Sequence, residues 1–305
     1  MTAVTAGTDP IGIAVNATTN TVYVANASGT AAVVDGAKCD AANRSGCHVQ
    51  PPTVVVGSNP QFLAVDDSTN TIYVANSAAN TVSVIDGSTR KVRANIPVGP
   101  LPFTLAVNQA TGSVYVTDLG AATVSVIDAK TCNAKNVSGC RHRPITVNVG
   151  QTPGGIAVNT RTNTIYVTGE FSHDVSVIDG TTCNAHMTSG CRKTPIRVLA
   201  GVGARGIAVN EVTNTVYVAN TDANTVSVIN GATCNAAVHT GCGQHAPVAA
   251  VGISPRRVAI DPVTNTIYVT NAGSNSVTML DGRTCNGQVH SGCGPAAAPP
   301  KAQPA

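Results

Sequence analysis

One segment pattern recurs six times along the chain, and this repetition restricts the fold more than any other property of the sequence. All six tyrosines (Tyr23, Tyr73, Tyr115, Tyr166, Tyr217 and Tyr268) occupy one position of the pattern, at intervals of 50, 42, 51, 51 and 51 residues. A repeat of this size builds solenoids, propellers or arrays, because a single unit buries its apolar face only against a neighbour. Within a unit, short runs rich in Val, Ile, Thr and Tyr alternate with Asn, Asp, Gly and Pro. In the fifth unit these runs are residues 207–210 (Ile-Ala-Val-Asn), 215–219 (Thr-Val-Tyr-Val-Ala) and 225–229 (Thr-Val-Ser-Val-Ile). Such runs read as strands, and no helical periodicity competes with them. Four short antiparallel strands per unit is the layout of a propeller blade. The sequence therefore predicts an all-β, six-bladed β-propeller of four-stranded antiparallel blades, spanning residues 1–294 as a single domain. Residues 295–305 read as a Pro/Ala-rich tail, disordered or a linker.

The sixth unit lacks a fourth apolar run, while residues 2–7 (Thr-Ala-Val-Thr-Ala-Gly) precede the first unit and resemble one. The N-terminal strand is thus expected to complete the last blade, close the ring and remove its exposed edges.

The ten cysteines fall into five pairs with one spacing: Cys39 with Cys47, Cys132 with Cys140, Cys183 with Cys191, Cys234 with Cys242, and Cys285 with Cys293. Each pair lies between the third and fourth strands. The second unit lacks both cysteines and the loop that carries them. Zinc ribbons place two thiolates at a Cys-x₂₋₄-Cys spacing, and the nearby histidines change position from loop to loop, so disulfides are preferred to metal sites or free thiols. Stable disulfides imply an oxidising compartment. The expectation is a secreted, periplasmic or cell-surface protein, and because residues 1–4 show no secretory leader, that reading requires the leader to have been removed. No apolar run approaches the ~18–20 residues a membrane helix needs.

With 18 basic and 15 acidic residues, 11% charged residues and a net charge of +3, the chain has little electrostatic field for nucleic acid. A DNA-binding propeller is therefore the third reading.

The runs Tyr73-Val74-Ala75-Asn76, Tyr217-Val218-Ala219-Asn220 and Tyr268-Val269-Thr270-Asn271 are each preceded by Thr-Asn-Thr. The segments that follow them are close to Asn-Thr-Val-Ser-Val-Ile-Asp. With these motifs the chain resembles the YVTN-repeat β-propellers, grouped with YncE-like and lactonase-like propellers and found in surface-layer proteins. The resemblance implies the fold more narrowly than the function, since similar propellers include lactonases, an antibiotic lyase and surface proteins.

In such a ring the first strands line a channel. The loops entering them share one face with the turns between second and third strands. Positions that recur in every unit read as scaffold, and differences on this face are where a function would sit. Phe62, Phe103 and Phe171, all the phenylalanines of the chain, fall on it, with Gln61, Arg205, Arg256 and Arg257. These seven are the candidate ligand-binding residues, suited to a small anionic or amphipathic ligand. The rival reading is a mouth plugged by Phe, with Arg paired to Glu170 or Asp174. The leading functional expectation is a binding or surface-scaffold module, monomeric, whose partner is such a ligand or a cell-surface protein or polysaccharide, with no cofactor. The alternative, implied by the resemblance, is a metal-assisted lactonase-like hydrolase. Asp118, Glu170 and His173 would then be its catalytic candidates, Asn76 or Asn220 would assist a divalent cation, and His173 would serve as general base. No metal site is assigned with these residues alone.

Overall fold

The structure is a computed structural model that describes residues 3–294. The expected tail at 295–305 and the first two residues of the chain lie outside them. Among the described residues twenty-three strands form six antiparallel sheets, each pairing consecutive strands as a meander. The first four blades are β1–β4 (residues 10–55), β5–β8 (60–97), β9–β12 (102–148) and β13–β16 (153–199). They are followed by β17–β20 (204–250) and by the three-stranded β21–β23 (255–281). The first strands of successive blades pack side by side, β1 on β5, β5 on β9, and so on to β21, which makes the array a propeller.

Each blade turns on residues that accept a left-handed backbone. Asn20, Asn70, Asn163, Asn214 and Asn265 do so between first and second strands, and Asn80, Asn224 and Asn275 between second and third. Asn tolerates this conformation because its side chain bonds locally. Where the fourth strand ends, a Gly lies flat on the Asn that closes the second strand: Gly57 on Asn76, Gly201 on Asn220, Gly252 on Asn271. A Cβ there would stand 2.5–2.7 Å from the amide group, so only Gly fits.

Three kinds of bond join neighbouring blades. The repeat tyrosines donate to the disulfide loop of the next blade: Tyr73 to the Cys132 carbonyl (2.7 Å), Tyr115 to Cys183 (2.7 Å), Tyr166 to Cys234 (2.7 Å) and Tyr217 to Cys285 (2.6 Å). The same loops donate backbone N–H groups to Thr or Ser hydroxyls at the start of the preceding blade's second strand, as Ala236 does to Thr164 at 2.9 Å. Asn side chains link first strands to the next turn, as in Asn16 to Asn70 (2.8 Å) and Asn159 to Asn214 (2.7 Å). All five expected disulfides are formed. Their loops do more than staple themselves, because they carry the acceptors for the tyrosines. Tyr23 faces the blade without such a loop and has no such bond among the described residues.

The expected closure is not present. Among the described residues the sheet β21–β23 stays three-stranded, residues 3–7 form no strand, and β21 lacks with β1 the packing that joins the other first strands. Instead, both end faces are exposed: Ile13 is 67% and Val15 55% accessible on the first blade, and Val277 56% and Met279 68% on the last.

Candidate functional site

Backbone bonds confirm that the entry loops and the turns between second and third strands share a face. Ser77 N–H donates to the Asn59 carbonyl, Glu170 to Thr152 and Ala272 to Ser254. The disulfide loops lie at the opposite ends of the strands. The residue following each entry turn starts a first strand, so the side chains there point into or over the channel.

Three of the predicted ligand residues meet across that channel. Phe62 at the start of β5 and Phe103 at the start of β9 pack edge to face, with centroids 5.1 Å apart. Arg257, reaching from β21 on the far side, lays its guanidinium over Phe62 at 4.2 Å and stands 5.7 Å from Phe103. A cation stacked on aromatic faces gains about 0.5–2 kcal/mol, more as water is excluded. The guanidinium nevertheless has no ion pair and no side-chain hydrogen bond among the described residues. Its pKa is lowered to about 10, chiefly by burial, then by repulsion from Arg205 and Arg256, with Glu170 opposing.

The other candidates divide. Arg205 pairs with Glu170 at 3.3 Å, as the plugged-mouth reading expected. Asp174 pairs instead with Arg197, at 3.0 Å, away from the mouth arginines. Arg256 is exposed beside an open cleft lined by Arg257, Thr270 and Val277. Gln61 turns back on its own loop, donating to Asn59 Oδ1 at 2.8 Å. Phe171 is 69% exposed and stands apart from the other two phenylalanines.

The three catalytic candidates occupy repeat positions. Asp118 stands where other blades have Asn26, Asn76, Asn220 and Asn271, fully buried at the end of β10. Thr123 and Ser125 hydroxyls donate to its Oδ2, at 3.0 and 2.8 Å, and Oδ1 is buried without a partner. Burial raises its pKa from 3.8 to about 6 against these hydrogen bonds. His173 is the left-handed turn residue of the fourth blade, with φ of 56°. Its Nδ1 lies 3.2 Å from Gly203 N–H and 2.9 Å from the Glu170 carbonyl. In the equivalent turns Asn80 Oδ1 accepts from Leu101 N–H and Asn224 Oδ1 from Ser254 N–H, so Nδ1 here stands in the acceptor's place, accepting from Gly203 when unprotonated and donating to the Glu170 carbonyl when protonated. Glu170 alone faces the mouth. Among the described residues no three His, Cys, Asp or Glu side chains stand close enough to hold a metal ion. Asp118, Glu170 and His173 are thus not brought together as a three-ligand cluster.

Sequence reasoning missed the stacking of Arg257 across the ring, since β5 and β21 lie far apart in the chain. It also missed that Asp174, held by Ser172 and Arg197, fills the space left by Gly169, which replaces the usual Asn.

A family model described as "Lactonase, 7-bladed beta-propeller" matches residues 1–299. Among solved structures, a virginiamycin B lyase from Staphylococcus aureus, in a catalytically inactive form with quinupristin, is 12% identical. It aligns with a TM-score of 0.68 over 95% of this chain and 88% of that one. A putative 6-phosphogluconolactonase from Bacteroides fragilis is 16% identical, with a TM-score of 0.68 over 89% of this chain and 80% of that one. At such identities these two share the fold with this chain. A search of curated sequences returned no match. No helix among the described residues is long and apolar enough to cross a membrane.

Proposed function

Because the chain belongs to the seven-bladed β-propeller lactonase family, we propose that its channel mouth binds a small anionic or amphipathic ligand, in an oxidising extracytoplasmic setting. The observation that carries this reading is Arg257: a half-buried guanidinium, stacked on Phe62 and Phe103, whose hydrogen-bonding edge has no acidic partner. A sequestered cation without a directly bonded counter-charge is costly, and an incoming carboxylate or phosphate would offset that cost by charge-assisted hydrogen bonds. Arg256 and Arg205 add positive potential at the same rim, and the two phenylalanines offer an apolar wall. The five disulfides point to an oxidising environment, which supports placement in the periplasm, at the cell surface or outside the cell.

The family match favours a second reading, hydrolysis of an anionic lactone at this mouth. In that case Glu170 is the only one of the three candidates positioned to meet a substrate, once Arg205 is drawn to the ligand. Asp118 and His173 would act as scaffold in either reading.

The test uses inorganic phosphate and 6-phosphogluconate as probes in a calorimetric titration. Arg257→Gln should weaken binding by tenfold or more, since one charge-assisted contact is worth about 1.5–3 kcal/mol. Equal affinity in the variant would refute the site. Turnover of δ-lactones that is lost in Glu170→Gln would establish the hydrolase, and its absence in the parent would retire it.

A further inference from the structure

The fourth blade departs from the repeat at two neighbouring places on the mouth, and the two departures fit each other. At the first residue after the entry turn the other blades carry Ile11, Gln61, Phe103, Arg205 and Arg256, and the fourth has Gly154. At the residue after the second strand the others carry Ala27, Ser77, Leu119, Thr221 and Ala272, and the fourth has Glu170, the one charged side chain of the set. The backbone of Gly154 is not left-handed, and a Cβ on it would meet nothing closer than 3.5 Å, so neither strain nor a clash demands glycine there. What the missing side chain provides is room. The atoms at that 3.5 Å are Glu170 Oε2 and Arg205 Cγ, so the Glu170–Arg205 pair lies over Gly154 in the space a longer side chain would take.

The pair uses only half of the carboxylate. Glu170 Oε1 accepts from Arg205 Nη1 at 3.3 Å, both side chains being part-buried, and Oε2 makes no hydrogen bond among the described residues. Glu170 also opposes the lowering of the Arg257 pKa, so its charge reaches the stacked guanidinium. Asp174 is turned away to Arg197, and Arg256 is exposed, where water and salt screen it. The mouth thus shelters two cations of unequal availability: Arg257 with a free edge, and Arg205 already engaged by a carboxylate that is tethered to the protein.

We propose that Glu170 is a specificity-determining residue of the mouth, admitting ligands with one anionic group and turning away ligands with two. It acts so only if, as proposed, the mouth binds anions. A single carboxylate or phosphate takes the free edge of Arg257 and leaves the Glu170–Arg205 pair in place. A second anionic group on the same ligand has Arg205 as its sheltered partner. To reach that partner it must displace Glu170 and then stand beside a carboxylate left without its cation. Discrimination of this kind comes from repelling the wrong ligand as much as from holding the right one.

3-Phenylpropionate and phenylsuccinate test this, because they share a ring suited to Phe62 and Phe103 and differ by one carboxylate. Every carboxyl group of both is ionised at about pH 7.5. In calorimetric titrations of the full chain, 3-phenylpropionate should bind at least tenfold more tightly than phenylsuccinate. Glu170→Gln keeps the shape of the side chain and should close that ratio to threefold or less by strengthening phenylsuccinate. Adding Arg205→Gln to that variant should cost phenylsuccinate at least fivefold again, since the freed guanidinium is what its second carboxylate uses. Equal affinities in the parent, a ratio that stays tenfold in Glu170→Gln, or no loss on adding Arg205→Gln would each overturn the proposal while leaving an anion-binding mouth. If 3-phenylpropionate fails to bind the parent, or binds Arg257→Gln equally well, the anion-binding mouth itself is refuted and the role of Glu170 falls with it.

Discussion

Asp118→Asn should stabilise the protein at neutral pH and leave it unchanged in acid. The native carboxyl, buried in β10, keeps its proton up to about pH 6, whereas the unfolded chain releases it near 3.8. Between those values the folded state holds one proton more than the unfolded state, so stability falls as pH rises, and above 6 the full penalty persists. The difference of 2.2 corresponds to about 3 kcal/mol as an upper bound. The Asn amide would donate to Thr123 and Ser125 as Asn76 donates to Thr81 and Ser83 in the second blade. Denaturant titrations at several pH values should therefore show a gain of roughly 1–3 kcal/mol at pH 7.5, vanishing below pH 4. A variant that is less stable at pH 7.5 would show that the carboxylate is held by something other than these hydroxyls. Anion binding at the mouth should be unaffected, because Asp118 belongs to the interior of its blade.

The second large effect concerns the disulfide loops. Removing the Cys183–Cys191 bridge by a double Ser substitution releases a short loop, worth about 2.5 kcal/mol in the chain-entropy model. That loop also holds the carbonyl that accepts from Tyr115. Tyr115→Phe alone should cost about 1–2 kcal/mol, since it leaves a buried acceptor without its donor. The two changes act on one joint, so their combined cost should fall short of the sum by 0.5 kcal/mol or more. Strict additivity in a double-mutant cycle would mean that loop and junction are independent. Reduction of all five bridges together should remove on the order of 10 kcal/mol, comparable to the whole stability of an ordinary domain. Unfolding midpoints with and without dithiothreitol would measure this directly, and near-equal midpoints would refute the joint role.

Much of the candidate site could be read from differences among the repeats. Phe62, Phe103 and Arg257 break the pattern at first-strand entries, and the structure brings these three together. The same logic also selected Asp118 and His173, which the structure sets apart from the mouth. Both differ from the repeat, yet each stands in for an asparagine: Asp118 as a buried carboxyl that other blades replace with an amide, His173 as the residue of a left-handed turn, with Nδ1 where the Asn oxygen stands. A departure from a repeat marks a function only when the new group faces open space. Facing comes from packing, which spacing along the chain does not contain.

The sequence by itself determined the blade. Val, Ile, Thr and Tyr in short runs, Asn at left-handed turns, and cysteines gained or lost in pairs specify the strands, their order and the loop staples, all of them interactions local to one unit. Only the tertiary structure decided the ring. How tyrosine, loop carbonyl and apolar faces pack between units joins each first strand to the next, and among the described residues β1 and β21 lack the contact that joins the others. The same geometry carried Arg257 across the channel onto Phe62.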